Sequence, residues 1–243
     1  MPYFNLIKLD AIDSTNEELK RRHHLGLASS TDLIWAESQS KGKGQRNASW
    51  DSEPYKNLTF SIYQALPKGF VFDLMQANAR ITLAVHTALK TFQIPSLRIK
   101  WPNDILSGNK KIAGVLIETI FRGSECVAMI IGLGINVNQT NFQGLERASS
   151  MAVIVGNEFS RVEVLAAVQK ALAEAIEDQT PKDQLLQQYN NLLFKKDIPT
   201  SFRVGDHVFT GCLRGVTPEG KLLVENEESE FSTYAIKEVE LLY

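Results

Sequence analysis

The spacing of apolar and polar positions changes several times along the chain. Residues 3–9 alternate loosely. Asp13-Ser14-Thr15-Asn16 follows, and Ser14 with Glu17, or Thr15 with Glu18, has capping-box spacing; a helix to about Leu25 is predicted. Residues 32–37 read as a buried strand, and a polar, glycine-containing loop covers about 38–56. Leu58, Phe60 and Ile62 alternate with Thr59, Ser61 and Tyr63, which predicts a half-buried strand. Leu74, Ala77, Ile81, Ala84, Ala88 and Phe92 recur at helical spacing within 73–92 and are predicted to face the core. Residues 97–100, 111–120 and 127–135 read as strands. Ser160 with Glu163 opens a predicted helix to about Asp178, and 182–194 reads as another.

After Pro199 the pattern becomes strand-like, with turn signals at 204–206, 217–220 and 225–227. Strands near 207–213, 221–225, 229–234 and 237–242 predict a small barrel. The plan is a mixed α/β domain over residues 1–196 and an all-β module over 197–243.

Composition and charge narrow the classes. The chain has 243 residues, 44% hydrophobic and 22% charged, enough apolar material for a core and unlike a disordered chain. Lys and Arg number 26 against 28 Asp and Glu, a net charge of −2, which is no electrostatic footprint for DNA or RNA. No apolar run is long enough to span a membrane, and the N-terminus lacks a secretory-signal pattern. Cys126 and Cys212 have neither disulfide-framework nor zinc-ligand spacing and read as reduced thiols of a cytoplasmic protein.

Four polar segments interrupt the apolar pattern at element ends, where binding groups collect. Residues 38–47 combine Gly42 and Gly44 with Lys41, Lys43 and Arg46; backbone amides plus cations suit a polyphosphate, although a solvated loop has the same composition. It is neither a P-loop nor G-x-G-x-x-G, because Asn47 holds the last position. In Lys100-Trp101-Pro102-Asn103-Asp104, the Asn and Asp suit a ribose, a metal or an ammonium group, or a simple turn. Lys110-Lys111-Ile112-Ala113-Gly114 places a lysine at the entry of an apolar strand, in a pocket or at the surface. Gly132 and Gly134, inside the apolar strand ending at Asn136, mark close packing, a flat ligand or a bulge.

Taken in order, these segments resemble the biotin protein ligases. Asp13–Asn16 is similar to the family's D-S-T-N, and residues 36–50 to its A-E-x-Q-x-x-G-R-G-R-x-G…W. Lys100–Asp104 matches K-W-P-N-D identically, Lys111–Glu118 resembles K-[IL]-[AG]-G-[IV]-L-x-E, and Gly132–Asn136 resembles G-x-G-[IL]-N. The likeness extends to an SH3-like module over 203–242, so it covers nearly the whole chain.

The resemblance implies an α+β fold: a mixed β-sheet catalytic domain flanked by helices on one side, like class II aminoacyl-tRNA synthetases and biotinyl/lipoyl transferases, beside a C-terminal SH3-like β-barrel. It implies an ATP-dependent biotin–protein ligase using Mg²⁺. Such an enzyme forms biotinyl-5′-AMP and pyrophosphate, then passes biotin to a lysine of a biotin carboxyl carrier protein. Ser14, Thr15, Asn16, Gln39, Gly42, Lys43, Gly44, Gln45, Lys111, Gly114, Gly132 and Gly134 are the implied biotin-site residues. Lys43, Gln45, Arg46, Trp50, Asn103, Asp104, Lys111 and Asn136 are the implied nucleotide-site residues. Lys111, Lys43, Arg46 and Asp104 would carry the chemistry, with Asp104 near the incoming carrier lysine.

The family's G-R-G-R-x-G reads Gly42-Lys43-Gly44-Gln45-Arg46-Asn47 here: Lys43 loses the bidentate fork and Gln45 loses a charge. The pattern begins within the first 13 residues, so a monofunctional ligase without an N-terminal DNA-binding domain is expected. Monomers and dimers both occur in the family. Two rival readings are a lipoate or octanoate ligase or transferase, whose R-R-x-S-G-G-G-A-type segment is absent, and a biotin sensor that has lost adenylation. Residues 41–50 are expected to order over bound ligands.

Overall fold

The computed structural model describes residues 4–45 and 48–243. Seven strands form one sheet: β1 (Asn5–Ile12), β2 (Asp32–Gln39), β3 (Leu58–Ala65), β4 (Leu97–Lys100), β5 (Asp104–Ser107), β6 (Lys110–Arg122) and β7 (Glu125–Ile135). Their order is β1-β2-β3-β7-β6-β5-β4. β1 and β2 are parallel, and the remaining neighbours are antiparallel. The parallel pair is linked by helix α1 (Thr15–His24), as a parallel connection requires a crossover.

Side chains along β3 and β7 point to the two faces in turn. Leu58, Phe60, Ile62, Ile131, Leu133 and Ile135 join the main core with residues of α2 (Leu74–Lys90) and α4 (Arg161–Glu177). α2 starts at Asp73, whose carboxylate accepts the Gln76 amide, and α4 at Ser160, whose hydroxyl accepts the Glu163 amide. The α2 core stripe is Met75, Ala79, Ile81, Thr82, Val85, Ala88 and Leu89; Leu74, expected inside, is exposed, and Ala77 is half-buried.

α1 corrects the expectation of helices on one side. It covers the opposite face, where Leu19 packs on Ile34, Tyr63, Ala128 and Ile130. The predicted capping box is also replaced. Ser14 makes no side-chain cap, and the Thr15 amide donates to Gln39 Oε1 on β2 at 2.8 Å. A strand thus caps a helix distant in sequence.

Three elements escaped the apolar pattern: β5, the short α3 (Met151–Val155), and β8 (Pro199–Val204). α5 (Lys182–Asn191) ends before the expected 194. The C-terminal strands are β8, β9 (His207–Val216), β10 (Leu222–Asn226), β11 (Phe231–Tyr234) and β12 (Glu240–Leu241), an antiparallel sheet ordered β11-β10-β9-β8-β12. Phe202, Leu213, Val216, Leu222, Val224 and Val239 of this segment bury against Met75, Ala79, Ile99 and Tyr189. The second sheet is therefore fastened to α2, α5 and the β4 edge by a shared core. No helix among the described residues is long and apolar enough to cross a membrane.

Candidate active site

On the α1 face, beyond the end of α1, the sheet has a floor nearly without side chains. A Cβ on Gly132 would lie 2.4 Å from Asn16 Oδ1, and one on Gly134 would lie 2.2 Å from Trp50 Cε2. Gly114 faces Trp50 Cζ3, Asp104 and the Lys111 stem. The glycine spaces are thus taken by the protein's own Asn16 and Trp50. Both side chains lie flat on strands that a larger residue would push them from.

A cavity of about 390 Å³ opens on this floor. Ser14, Thr15, Asn16, Gln39, Lys43, Gly44, Gln45, Trp50, Asn103, Asp104, Lys111, Gly114, Gly132 and Gly134 all line it. A second cavity of about 540 Å³ adjoins it, and Ser49, Trp50, Lys100, Asp104 and Lys111 line both. Asn136 lines only the second, with Arg147 and Tyr243. Of the sequence-expected residues, Gly42 lines neither cavity; a Cβ there would meet Trp50 O at 2.2 Å, so its role is to let the loop close on itself. Arg46, expected at the phosphates, lies outside the described residues, as does Asn47.

A β-bulge presents Lys111 to both cavities. The β5–β6 register shifts between Ile105 and Leu106, so that Ala113 pairs with Ile105 and Lys111 with Leu106. Ile112 and Ala113 both join the main core, breaking the strand's alternation and turning Lys111 to the face of Gly114. Lys111 Nζ lies 2.7 Å from Asp104 Oδ1 and 5.2 Å from the Trp50 ring centroid. The Trp50 indole N–H is buried without a partner among the described residues, a donor suited to a ligand acceptor.

Residues 42–44 pair with residues 48–50, Lys43 and Ser49 forming an antiparallel bridge. The Gly44 amide donates to Ala48 O at 2.7 Å and the Trp50 amide to Gly42 O at 2.9 Å. Lys43 Nζ reaches back to Glu17 Oε1 at 2.6 Å, and hydrogen bonds from Lys20 and Lys43 lower the Glu17 pKa. Asn103 and Asn136 stand at the cavities, but their amides are engaged: Asn103 Nδ2 donates to Val115 O, and Asn136 Nδ2 to Ser149 O at 3.0 Å. Their geometry serves to hold β6 and the 149–151 turn in place.

Several site residues escaped the sequence reading. Ser61, fully buried, bonds Thr15 and Asn16 at the cavity floor; its place on the polar side of an alternating strand was its only signal. Glu118 accepts from Asn16 Nδ2 at 2.7 Å. Lys100 lines both cavities, and burial lowers its pKa, with the Asp104 carboxylate opposing and the Lys111 and Arg147 cations adding to the shift. Lys237 lines the first cavity and Tyr243 the second, both from the C-terminal segment, a convergence no local pattern reveals. Arg147 lies 4.4 Å from the Tyr243 ring centroid. Trp101, after β4, donates to Gly220 O at 3.2 Å and ties the cavity rim to the second sheet.

No group of three or more His, Cys, Asp or Glu side chains among the described residues has metal-cage geometry. Asp104 is the carboxylate lining the first cavity, joined by Asp51 and Glu146 at the second. That donor set suits a Mg²⁺ carried mainly by phosphate oxygens rather than an all-protein site.

Two adjoining cavities share Lys100, Asp104 and Lys111, the first with a hydrogen-bonding floor and the second lined by cations and carboxylates together, an arrangement suited to bringing two ligands to one place. The biotin/lipoate A/B protein ligase family model matches residues 9–136, and the chain belongs to that family. The bifunctional ligase/repressor BirA of Salmonella typhimurium is 27% identical over 229 residues, 92% of this chain and 70% of that protein. The biotin–[acetyl-CoA-carboxylase] ligase of Paracoccus denitrificans is 33% identical over 127 residues, 51% of each chain. The biotin protein ligase of Aquifex aeolicus in complex with biotin and ATP superposes with a TM-score of 0.81 at 29% identity, covering 98% of both chains.

Proposed function

We propose that this chain is a biotin protein ligase that adenylates biotin with ATP and transfers it to a lysine of a biotin carboxyl carrier domain. The observation that carries this is Lys111, which lines both cavities. A carboxylate placed there on one side and an α-phosphate on the other would share its charge. The relatives support the same substrates: the Aquifex structure holds biotin and ATP, and the Paracoccus protein is named for acetyl-CoA-carboxylase.

In the first half-reaction a biotin carboxylate oxygen attacks the α-phosphorus, and the bond to the β-phosphate oxygen breaks as pyrophosphate leaves. Two anions must approach each other, so charge compensation and positioning dominate the barrier. Lys111, with Lys100 beside it and Lys43 at the rim, supplies that compensation. Mg²⁺ would neutralise charge on the departing pyrophosphate, with Asp104 as the nearby carboxylate. Trp50 would cover the nucleotide side. In the second half-reaction a carrier lysine amine attacks the acyl carbon and AMP leaves. Asp104, which pairs with Lys111 Nζ at 2.7 Å, would attract the incoming ammonium and take its proton.

The polar floor favours biotin over lipoate. Thr15, Asn16, Gln39 and Ser61 are hydrogen-bonding groups suited to a ureido ring, whereas a dithiolane would leave them unpaired. Biotin-dependent ATP–pyrophosphate exchange, with lipoate and octanoate in parallel, tests the assignment. Exchange with biotin alone is expected. Exchange with lipoate or octanoate would move the protein to that branch, and biotin binding without exchange would make it a sensor. Lys111→Ala is expected to lower exchange by about 10²–10³, the scale of losing one transition-state charge partner.

A further inference from the structure

We infer that Glu118, which touches no substrate in this reading, sets the hydrogen-bond direction of the cavity floor, so that the floor presents a donor at Gln39 and an acceptor at Thr15. The inference rests on the proposed biotin site and extends it to a positioning residue.

The shortest contacts of the chain select one arrangement of protons. Lys20 Nζ donates to Glu118 Oε1 at 2.7 Å, and Asn16 Nδ2 donates to Glu118 Oε2 at 2.7 Å. A carboxylate only accepts, so Asn16 must turn its amide nitrogen toward Glu118 and its Oδ1 toward Ser61. Ser61 commits its one proton to Asn16 Oδ1. At the 2.6 Å Thr15–Ser61 contact, Thr15 must then be the donor. Gln39 Oε1 also lies 3.2 Å from Thr15 Oγ1, but with the hydroxyl proton directed to the closer Ser61 oxygen it is held by the Thr15 backbone amide at 2.8 Å. Gln39 Nε2 remains as a donor, and Thr15 Oγ1 keeps lone pairs. That pairing matches a cyclic urea, whose C=O accepts beside an N–H that donates.

Burial protects this directionality. Ser61, Asn16 and Thr15 are 0%, 3% and 3% exposed, so water cannot readily substitute for a misdirected partner. Gly132 belongs to the device, because any side chain there would displace Asn16. Lys20 is the outer anchor: burial opposes its charge, but Glu118 and Glu17 outweigh that and raise its pKa, so it stays cationic.

Glu118→Gln is the test. The Lys20 ammonium would claim the new amide oxygen, leaving the NH₂ facing Asn16. Asn16 would flip, Ser61 would donate to Thr15, and the Thr15 proton would turn from Ser61 toward Gln39 Oε1, 3.2 Å away, and the ligand, so that Thr15 offers a ureido N–H one lone pair instead of two. KM for biotin in ATP–pyrophosphate exchange is expected to rise about tenfold or more, with kcat and the KM for ATP within about twofold. The double variant Asn16→Asp with Glu118→Gln exchanges amide and carboxylate between the two positions. The new amide at position 118 then donates to the new carboxylate at position 16, which still accepts from Ser61. This swap is expected to return KM for biotin to within about threefold of wild type.

An unchanged KM in Glu118→Gln, or a swap no better than the single variant, would overturn the inference. Should Glu118→Gln melt below the assay temperature, Ser61→Ala carries the test: it frees the Thr15 proton, and an unchanged KM for biotin there would overturn the inference too. Calorimetric biotin binding is measured alongside. Wild-type binding without exchange sinks the ligase reading and leaves the variant comparison standing in the binding constants. Wild-type protein that binds no biotin overturns the inference itself.

Discussion

The two faces of the seven-stranded sheet are built from alternate residues of the same strands, and they do different work. On one, Leu58, Phe60, Ile62, Ile131, Leu133 and Ile135 are sealed by α2 and α4. On the other, Thr59, Ser61, Gly132 and Gly134 leave a floor where Asn16 and Trp50 lie and the cavity opens. Apolar burial on the first face offsets the cost of holding polar groups in fixed directions on the second. One strand can serve both ends because a residue and its neighbour never share a face.

The comparison can be broken most severely from the apolar side. Phe60→Ala empties the space of a fully buried ring and is expected to cost about 3–5 kcal/mol in urea unfolding. KM for biotin in the fraction still folded is expected to change little. A large KM shift there would show that the faces are not separable.

The reverse break is Gly134→Ala. Its Cβ would collide with the Trp50 ring, so the indole must leave the sheet. Exchange activity is expected to fall by more than tenfold, while stability changes by about 1–3 kcal/mol, the range for overpacking. Retained activity with a normal KM for ATP would remove Trp50 from the nucleotide side.

A smaller effect sharpens the contrast at α2. Asp73 caps this helix and pairs with Lys182 at 2.5 Å. Burial raises its pKa, but the Lys182 ammonium and the Gln76 amide outweigh that and lower it. Its contribution is therefore complete above the ordinary carboxylate value and is lost as pH falls through the lower folded-state value. Asp73→Ala is expected to cost about 1 kcal/mol at pH 7 and progressively less in melts below about pH 4, with exchange kinetics at pH 7 unchanged. A constant difference across that pH range would rule out the ionised cap.

Much of the molecule is readable along the chain because it depends on local period. The alternation of 58–63, the helical stripe of 73–92 and the Ser160 cap all involve residues close in sequence. The ordered motifs likewise mark the segments that line the cavities. The stripe fails at Leu74, since the first turn of a helix can extend past the core.

Other features arise only when distant segments meet. The α1 cap comes from Gln39 because strand pairing brings β2 to the helix start. α1 crosses to the second face, although its sequence names no face. Most telling is Lys111. Strict alternation would send it to the same side as Ala113 and Val115, into the core. The bulge against β5, a product of register between two strands, turns it to the cavity. Residue types and periods are properties of the chain itself, and they sufficed for the four longer helices, most strands and the chemistry on offer. Register, the choice of face and the direction of a hydrogen bond depend on what lies opposite, so only packing could decide them.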